Sequence, residues 1–208
     1  MPHTILHIDS SPMGERSISR KLSAKVLAEL RARFPDSTLT TRDLAAAPLP
    51  HLSAAALGAF YTPVEERTAE SAAAVAASDA AIAELKAADI IVIGAPMWNF
   101  GIPSALKAWI DHIVRAGHTY KYGAGGPEGL LAAGKKVIVA SSRGGVYTAG
   151  PMAAMDFQED YLRSVFRFIG LTDLAFVRAE GVAMGEEAVK SAMQAAESHL
   201  AQAVGALA

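Results

Sequence analysis

A chain of 208 residues that is 51% hydrophobic has ample apolar material for a sizeable core and suits one domain, 1–208. Its formal net charge of -2, with no basic stripe, gives nucleic-acid binding no electrostatic support, and the absence of cysteine excludes disulfides and thiolate metal sites. No uncharged apolar run is long enough to span a bilayer. Met1–Ser10 is short and carries His7 and Asp9, so it does not read as a secretory leader, and a soluble cytoplasmic protein is expected.

Thr4–Asp9 is an apolar run ending in Asp9-Ser10-Ser11-Pro12, the pattern of a buried strand followed by a polar loop. Ile18, Leu22, Val26, Leu30 and Phe34 then fall near helical spacing, with Ser17 as N-cap and Pro35 as stop. Ser37–Leu44 reads as a second strand, Ala45–Thr62 as an irregular or short-helix insert, and Val64–Ala87 as a long amphipathic helix. Asp89–Gly94 runs Ile90, Ile91, Val92, Ile93 without alternation, which suits a strand covered on both faces. Pro103 starts a helix through about Ala116, and Gly117–Ala133, rich in Gly and Tyr, reads as a long loop or hairpin. Lys135–Ala140 and Leu174–Val177 are further strands, and Asp156–Gly170 and Glu186–Val204 further helices.

Strands alternating with helices imply right-handed crossovers and a parallel sheet. Five of them suit an α/β fold of the flavodoxin-like, doubly wound kind, order 2-1-3-4-5, with helices on both faces. In that order a ligand sits at the carboxyl ends of the strands where the winding reverses, so the loops after Asp9, Gly94 and Ala140 are expected to meet around one ligand.

Each loop has its own chemistry. The first, Ser10 to Ser19, joins a strand to a helix start, where free N–H groups, the helix dipole and the hydroxyls of Ser11, Ser17 and Ser19 suit a phosphate; capping by Ser17 is the competing reading. It is neither a Walker loop nor Gly-x-Gly-x-x-Gly. The second carries Met97, Trp98, Asn99 and Phe100, large groups on which a flat heteroaromatic ring packs, with Asn99 supplying a donor and an acceptor to its edge; closure of the core's end is the alternative. The third, Ser142-Arg143-Gly144-Gly145, has two glycines that allow close backbone approach to the polar end of a ring, or make an ordinary turn. Phosphate, ring face and ring edge together describe FMN better than a dinucleotide, since one phosphate pocket is evident.

On these residues the chain resembles the FMN-dependent NADH-azoreductase family, also described as NADH:quinone oxidoreductases. The resemblance runs over nearly the whole length. It is most specific at Ala95–Phe100 (APMWNF), Lys107–Gly117 (KAWIDHIVRAG), Gly126–Leu130 (GPEGL), Ser142–Gly145 (SRGG) and Gly170–Asp173 (GLTD). It implies a homodimer with FMN sites near the interface. It also implies ping-pong turnover, in which NADH reduces the flavin and a quinone or azo compound then takes its place. Carried over by position, FMN contacts fall on Ser11, Ser17, Ile18, Ser19, Met97, Trp98, Asn99, Phe100, Ser142, Arg143, Gly144 and Gly145, with Ser10 a neighbour.

Because the cofactor performs the redox chemistry, no catalytic triad or obligatory protein acid is expected. His112 and His118 read as helix-surface or loop residues, Asp111 and Arg115 as surface or dimer contacts, and the six scattered histidines give no metal site. Tyr120, Tyr122, Phe60 and Tyr61 are candidates to wall a substrate cavity across the dimer interface, or else to anchor loops. Two other classes stand beside the enzyme: a flavodoxin-type electron carrier, and a flavin-free scaffold or regulatory protein. The near-neutral charge and the long insert favour the enzyme.

Overall fold

The computed structural model describes residues 2–207. Strand β1 (Thr4–Asp9) leads to helix α1 (Ile18–Arg33), edge strand β2 (Thr38–Asp43), the short α2 (Ala54–Phe60) and α3 (Ala69–Ala87). Then follow β3 (Ile90–Pro96), α4 (Ser104–Ile113) and the antiparallel hairpin β4 (Tyr120–Gly123) and β5 (Gly126–Gly129). The chain ends with β6 (Lys136–Ser142), α5 (Phe157–Phe168), β7 (Asp173–Ala179) and α6 (Glu186–Gly205).

Five parallel strands form one sheet in the order β2-β1-β3-β6-β7. Counting these five alone, that is the expected 2-1-3-4-5 order. The unbroken apolar runs are explained by what alternate residues face. Leu6, Ile8, Ile91, Ile93, Val137 and Val139 pack with α3, α4 and α5 residues such as Leu85, Trp109 and Phe166. Ile5, Ile90, Val92, Ile138 and Val177 pack on the other face with Leu22 and Val26 of α1 and Leu200 of α6. β2 sits at the edge, and its Thr38–Thr41 stretch is exposed, which is why that strand is Thr-rich rather than aliphatic.

Several boundaries differ from the sequence reading. The helix expected from Val64 begins at Ala69. Val64–Glu66 is a separate 3-10 turn, Arg67 is extended, and the Thr68 hydroxyl accepts the Ser71 N–H at 3.2 Å as N-cap. Helix α4 ends at Ile113 rather than near Ala116. The Thr119 side chain takes over its last turn, donating to the Ile113 carbonyl (2.6 Å) and accepting the Arg115 N–H (3.0 Å). β3, β6 and β7 each reach two residues further at their carboxyl ends. The Met97 N–H then donates to the Ser142 carbonyl at 2.8 Å, tying the loops after β3 and β6 together. The hairpin lies against the end of α5 so closely that a Cβ at Gly129 would come within 2.2 Å of the Gly170 nitrogen.

Candidate functional site

The loop after β1 is built around hydroxyls. Ser10 Oγ donates to the Gly94 carbonyl at 2.7 Å, pinning the loop to β3. Ser11 Oγ accepts the Met13 N–H (3.3 Å), Ser17 Oγ accepts the Arg20 N–H (3.3 Å), and the Ser17 and Ser19 hydroxyls lie 3.0 Å apart. Ser17 is thus the N-cap expected of it. The N–H groups of Ile18 and Ser19 have no acceptor among the described residues, so the start of the 16-residue α1 presents two open donors beside two hydroxyls.

Beneath this loop lies a charged cluster that sequence reasoning missed. Arg20 donates to the Ser11 carbonyl through Nε (2.9 Å) and to Asp43 Oδ1 through Nη2 (2.7 Å), with Asp9 Oδ2 at 3.5 Å from Nη1. Ser23 Oγ donates to Asp9 Oδ1 at 2.9 Å and lies 3.1 Å from His7 Nε2. Burial raises the Asp9 carboxyl above its ordinary value, against the pull of His7, Ser23 and Arg20. Burial likewise lowers His7. The Arg20 hydrogen bond holds Asp43 below the usual carboxylate range. The cluster is close-packed: a Cβ on Gly94 would approach Asp9 Oδ1 to 2.4 Å.

The loop after β3 is a tight reversal. Trp98 and Gly101 exchange N–H···O=C bonds of 3.0 Å, and the two residues between them, Asn99 and Phe100, sit at φ 47° and 70°. Positive φ at both central positions is the mark of a primed two-residue turn. Asn tolerates it, whereas a side chain as large as Phe is rarely found there. Strained backbone of this kind concentrates where a ligand must be met. The turn leaves Trp98 45% exposed at the carboxyl edge of a fully buried strand.

The loop after β6 is braced from below. The Arg143 side chain is 0% exposed and is turned away from solvent. Its Nη1 lies 2.8 Å from Asp156 Oδ2 and 3.3 Å from Glu180 Oε1, its Nη2 donates to Glu159 Oε1 (2.5 Å), and its Nε donates to Ser141 Oγ (3.0 Å). Its N–H and C=O are also engaged, with Ala179 and Val182. What the loop can offer a ligand is therefore the N–H groups of Gly144 and Gly145, which donate to nothing among the described residues. Burial would raise Glu159, but the Arg178 hydrogen bond and the charges of Arg178, Arg143 and Arg163 hold it below its ordinary value.

One cavity of about 590 Å³ opens at this edge and brings Ser10, Trp98 and Asn99 together. Its other wall is Leu44, Ala45 and Pro48 after β2, and Lys107 of α4 stands at its rim. Sequence reasoning did not single out that wall. The signal was the strand order itself, because β2 lies beside β1 and its carboxyl end shares the crevice. Ser11, Ser17, Ile18, Ser19, Met97, Phe100 and Ser142–Gly145 lie outside the lining of this cavity. They belong to the same three loops, joined by the Ser10–Gly94 and Met97–Ser142 bonds.

Two readings of side residues need correction. His112 is not on the helix surface: it is 1% exposed, and its Nε2 lies 2.9 Å from the Pro50 carbonyl, fastening the insert to α4. Arg115 is likewise buried, bonded to Ser78 and Asp79 and lying over the Phe60 ring at 4.6 Å. It is set within the fold because α3 and the Phe60 ring cover it. Asp111 pairs with Lys107 at 2.6 Å. Tyr120 packs on Phe168 and with Phe60 and Tyr61 lines a separate small cavity, while Tyr61 and Tyr122 project into solvent. No cluster of potential metal ligands is found among the described residues.

Residues 3–204 match a protein family described as the flavodoxin-like fold. The chain is 53% identical over 189 residues to an FMN-dependent NADH:quinone oxidoreductase of Herminiimonas arsenicoxydans, covering 91% of this chain and 92% of that one. It is 52% identical over 195 residues to a protein of the same name from Ralstonia nicotianae, covering 93% of each. Among solved structures, an azoreductase from Bacillus anthracis superposes with a TM-score of 0.85 at 30% identity over 98% of this chain and 97% of the other. An FMN-dependent NADH-azoreductase from the same organism, solved in complex with FMN, gives 0.85 at 28% identity over 97% and 99% of the two chains.

Proposed function

The chain belongs to the flavodoxin-like fold family, and from that premise we propose that it is an FMN-dependent NADH:quinone oxidoreductase that also reduces aromatic azo compounds. The observation that carries this reading is the turn after β3. It holds Asn99 and Phe100 on strained backbone beside an exposed Trp98, at the end of the strand that lies between β1 and β6, whose loops carry the open N–H groups of Ile18–Ser19 and Gly144–Gly145. The residues fit the cofactor. The α1 start, with its dipole and the Ser17 and Ser19 hydroxyls, suits the phosphate; the Met97–Phe100 turn suits the ring; the two glycine N–H groups suit the ring's polar edge. When bound, FMN supplies two-electron transfer from NADH to a quinone or azo acceptor.

The protein's own part is binding, orientation and exclusion of water. The Ser11 hydroxyl and the loop backbone set the anion end. Arg143 contributes indirectly, by fixing the loop from which Gly144 and Gly145 donate. Asn99 offers a donor and an acceptor at the ring edge.

The proposed unit is a homodimer. Trp98, Val146, Met152 and Phe157, all exposed and apolar, lie on or next to the loops at this edge and support that reading. Phe60, Tyr61 and Tyr120, which line a separate cavity in their own chain, and the exposed Tyr122 are proposed to wall the acceptor site across that dimer interface. Light scattering coupled to gel filtration tests the dimer, with one chain mass the result against it. The proposed setting is the cytoplasm, in keeping with the lack of any described helix long and apolar enough to cross a membrane. The electron-carrier alternative draws no support from the relatives.

Purified protein is expected to show flavin absorption, to bleach anaerobically with NADH, and to recover its colour with menadione and no partner protein. A colourless protein that takes up no added FMN would overturn the reading. Reduction without turnover on a quinone would favour the carrier.

A further inference from the structure

Arg20 bonds to the anion loop at both of its ends. Its N–H donates to Ser17 Oγ at 3.3 Å, and its side-chain Nε donates to the Ser11 carbonyl at 2.9 Å. The rest of the guanidinium faces two carboxylates, with Asp43 Oδ1 at 2.7 Å and Asp9 Oδ2 at 3.5 Å. Asp43 Oδ1 in turn accepts the N–H groups of Ala45 (2.9 Å) and Ala46 (3.1 Å), at the start of the cavity wall that includes Leu44 and Ala45. One side chain therefore fastens the loop after β1 to the loop after β2.

Charge makes the placement more than mechanical. The α1 start offers open N–H groups to an anion, yet two carboxylates lie beneath the same loop. Arg20 is the cation within ion-pair distance of both. His7, the other basic group on Asp9 at 3.6 Å, is held toward its neutral form by burial. Without the guanidinium, Asp9 and Asp43 would set negative charge against any phosphate at the loop. The Ser11 carbonyl would also be freed to move.

We propose that Arg20 is a positioning residue for the flavin phosphate: it holds the Ser11–Ser17 loop in register and cancels the field of Asp9 and Asp43 beneath it. The inference rests on the FMN reading above. It makes a demand that general loss of structure does not, namely that Arg20 matters for a flavin carrying a phosphate and not for one without.

The test is titration of the flavin-stripped protein with FMN and with riboflavin, followed by quenching of flavin fluorescence. In Arg20→Met the FMN dissociation constant is expected to rise about tenfold or more, because charge-assisted bonds and charge balance are lost together. The riboflavin constant should stay within about threefold, so the preference for FMN collapses. Arg42→Met, which breaks the pair between Arg42 of β2 and Glu84 of α3, is the control and should leave the preference as it is. Arg20→Lys keeps the charge but has a single head that cannot serve Ser11 and Asp43 at once. It should lose part of the preference, and it decides the matter if Arg20→Met does not fold. Equal weakening of both flavins, or an unchanged preference in either Arg20 variant, overturns the proposal. A wild-type chain that binds neither flavin overturns the function on which it rests, and the proposal with it.

Discussion

The loops after β1 and β6 lie on either side of the loop after β3, and each stands on an arginine, but the two arginines act differently. Arg20 reaches into its loop and holds the Ser11 carbonyl, with part of its side chain still in solvent. Arg143 is wholly buried, has three carboxylates around it, and braces α5 and β7 under a loop it leaves free to donate. Glu180 extends that brace by accepting the Tyr147 and Thr148 N–H groups at 2.7 and 3.1 Å. On the proposal above, the first loop is held by a device tied to ligand charge, and the third by one tied to the core. Damage at Arg20 should therefore register in cofactor affinity, and damage at Arg143 in stability.

The largest expected effect breaks the third loop. Arg143→Met leaves Asp156 and Glu180 without the cation they share and Glu159 with Arg178 and Arg163 alone, and removal of one partner from such a buried group costs about 3–5 kcal/mol. For a chain of this size that is a fall of about 10 °C in melting temperature, read by differential scanning calorimetry. Next comes Gly94→Ala, whose new methyl would meet Asp9 Oδ1 at 2.4 Å and Ser23 Oγ at 3.2 Å. Overpacking of this kind costs about 1–3 kcal/mol, measurable by urea denaturation, and because it displaces the Asp9–Arg20 cluster it should also weaken FMN.

Trp98→Ala touches neither brace. The side chain is exposed, so stability should stay within about 0.5 kcal/mol of wild type while FMN affinity drops. A variant that melts early with flavin affinity intact would put Trp98 in the core instead. The smallest effect is a change of pH profile. Glu159 has a folded pKa below its unfolded one, so its contribution is fully present above the ordinary carboxylate value of about 4.3 and is lost as pH falls through the folded value. Glu159→Gln should therefore flatten the fall of melting temperature between roughly pH 5 and pH 3, even though it lowers stability at neutral pH.

The strands were legible because a strand buried on both faces must be apolar at every position, and Ile90–Ile93 admits little else. Helix ends were less so. The N-cap Ser17 was visible beside its helix, whereas Thr68 stood four residues inside an apparently continuous pattern, and Thr119 acts on α4 from beyond its end. Within the site, the meeting of the three loops at one edge of the sheet could be read from strand order. The turn geometry could not, since nothing about Phe100 announces a positive φ. Nor could the ion clusters: Arg20 and Asp43, or Arg143 and Glu180, are far apart in the chain and meet only through the sheet. His112 and Arg115 looked like surface residues for the same reason, since the insert and α3 that cover them come from distant sequence.

The most direct test of the central claim, that these three loops hold one flavin, is a crystal structure of the protein with FMN. The expected result places the phosphate within hydrogen-bond reach of the Ile18 and Ser19 N–H groups, the ring on the Met97–Phe100 turn, and its polar edge at Gly144 and Gly145. FMN bound away from the carboxyl edge of the sheet, or a phosphate lodged outside the Ser11–Ser19 loop, would contradict it.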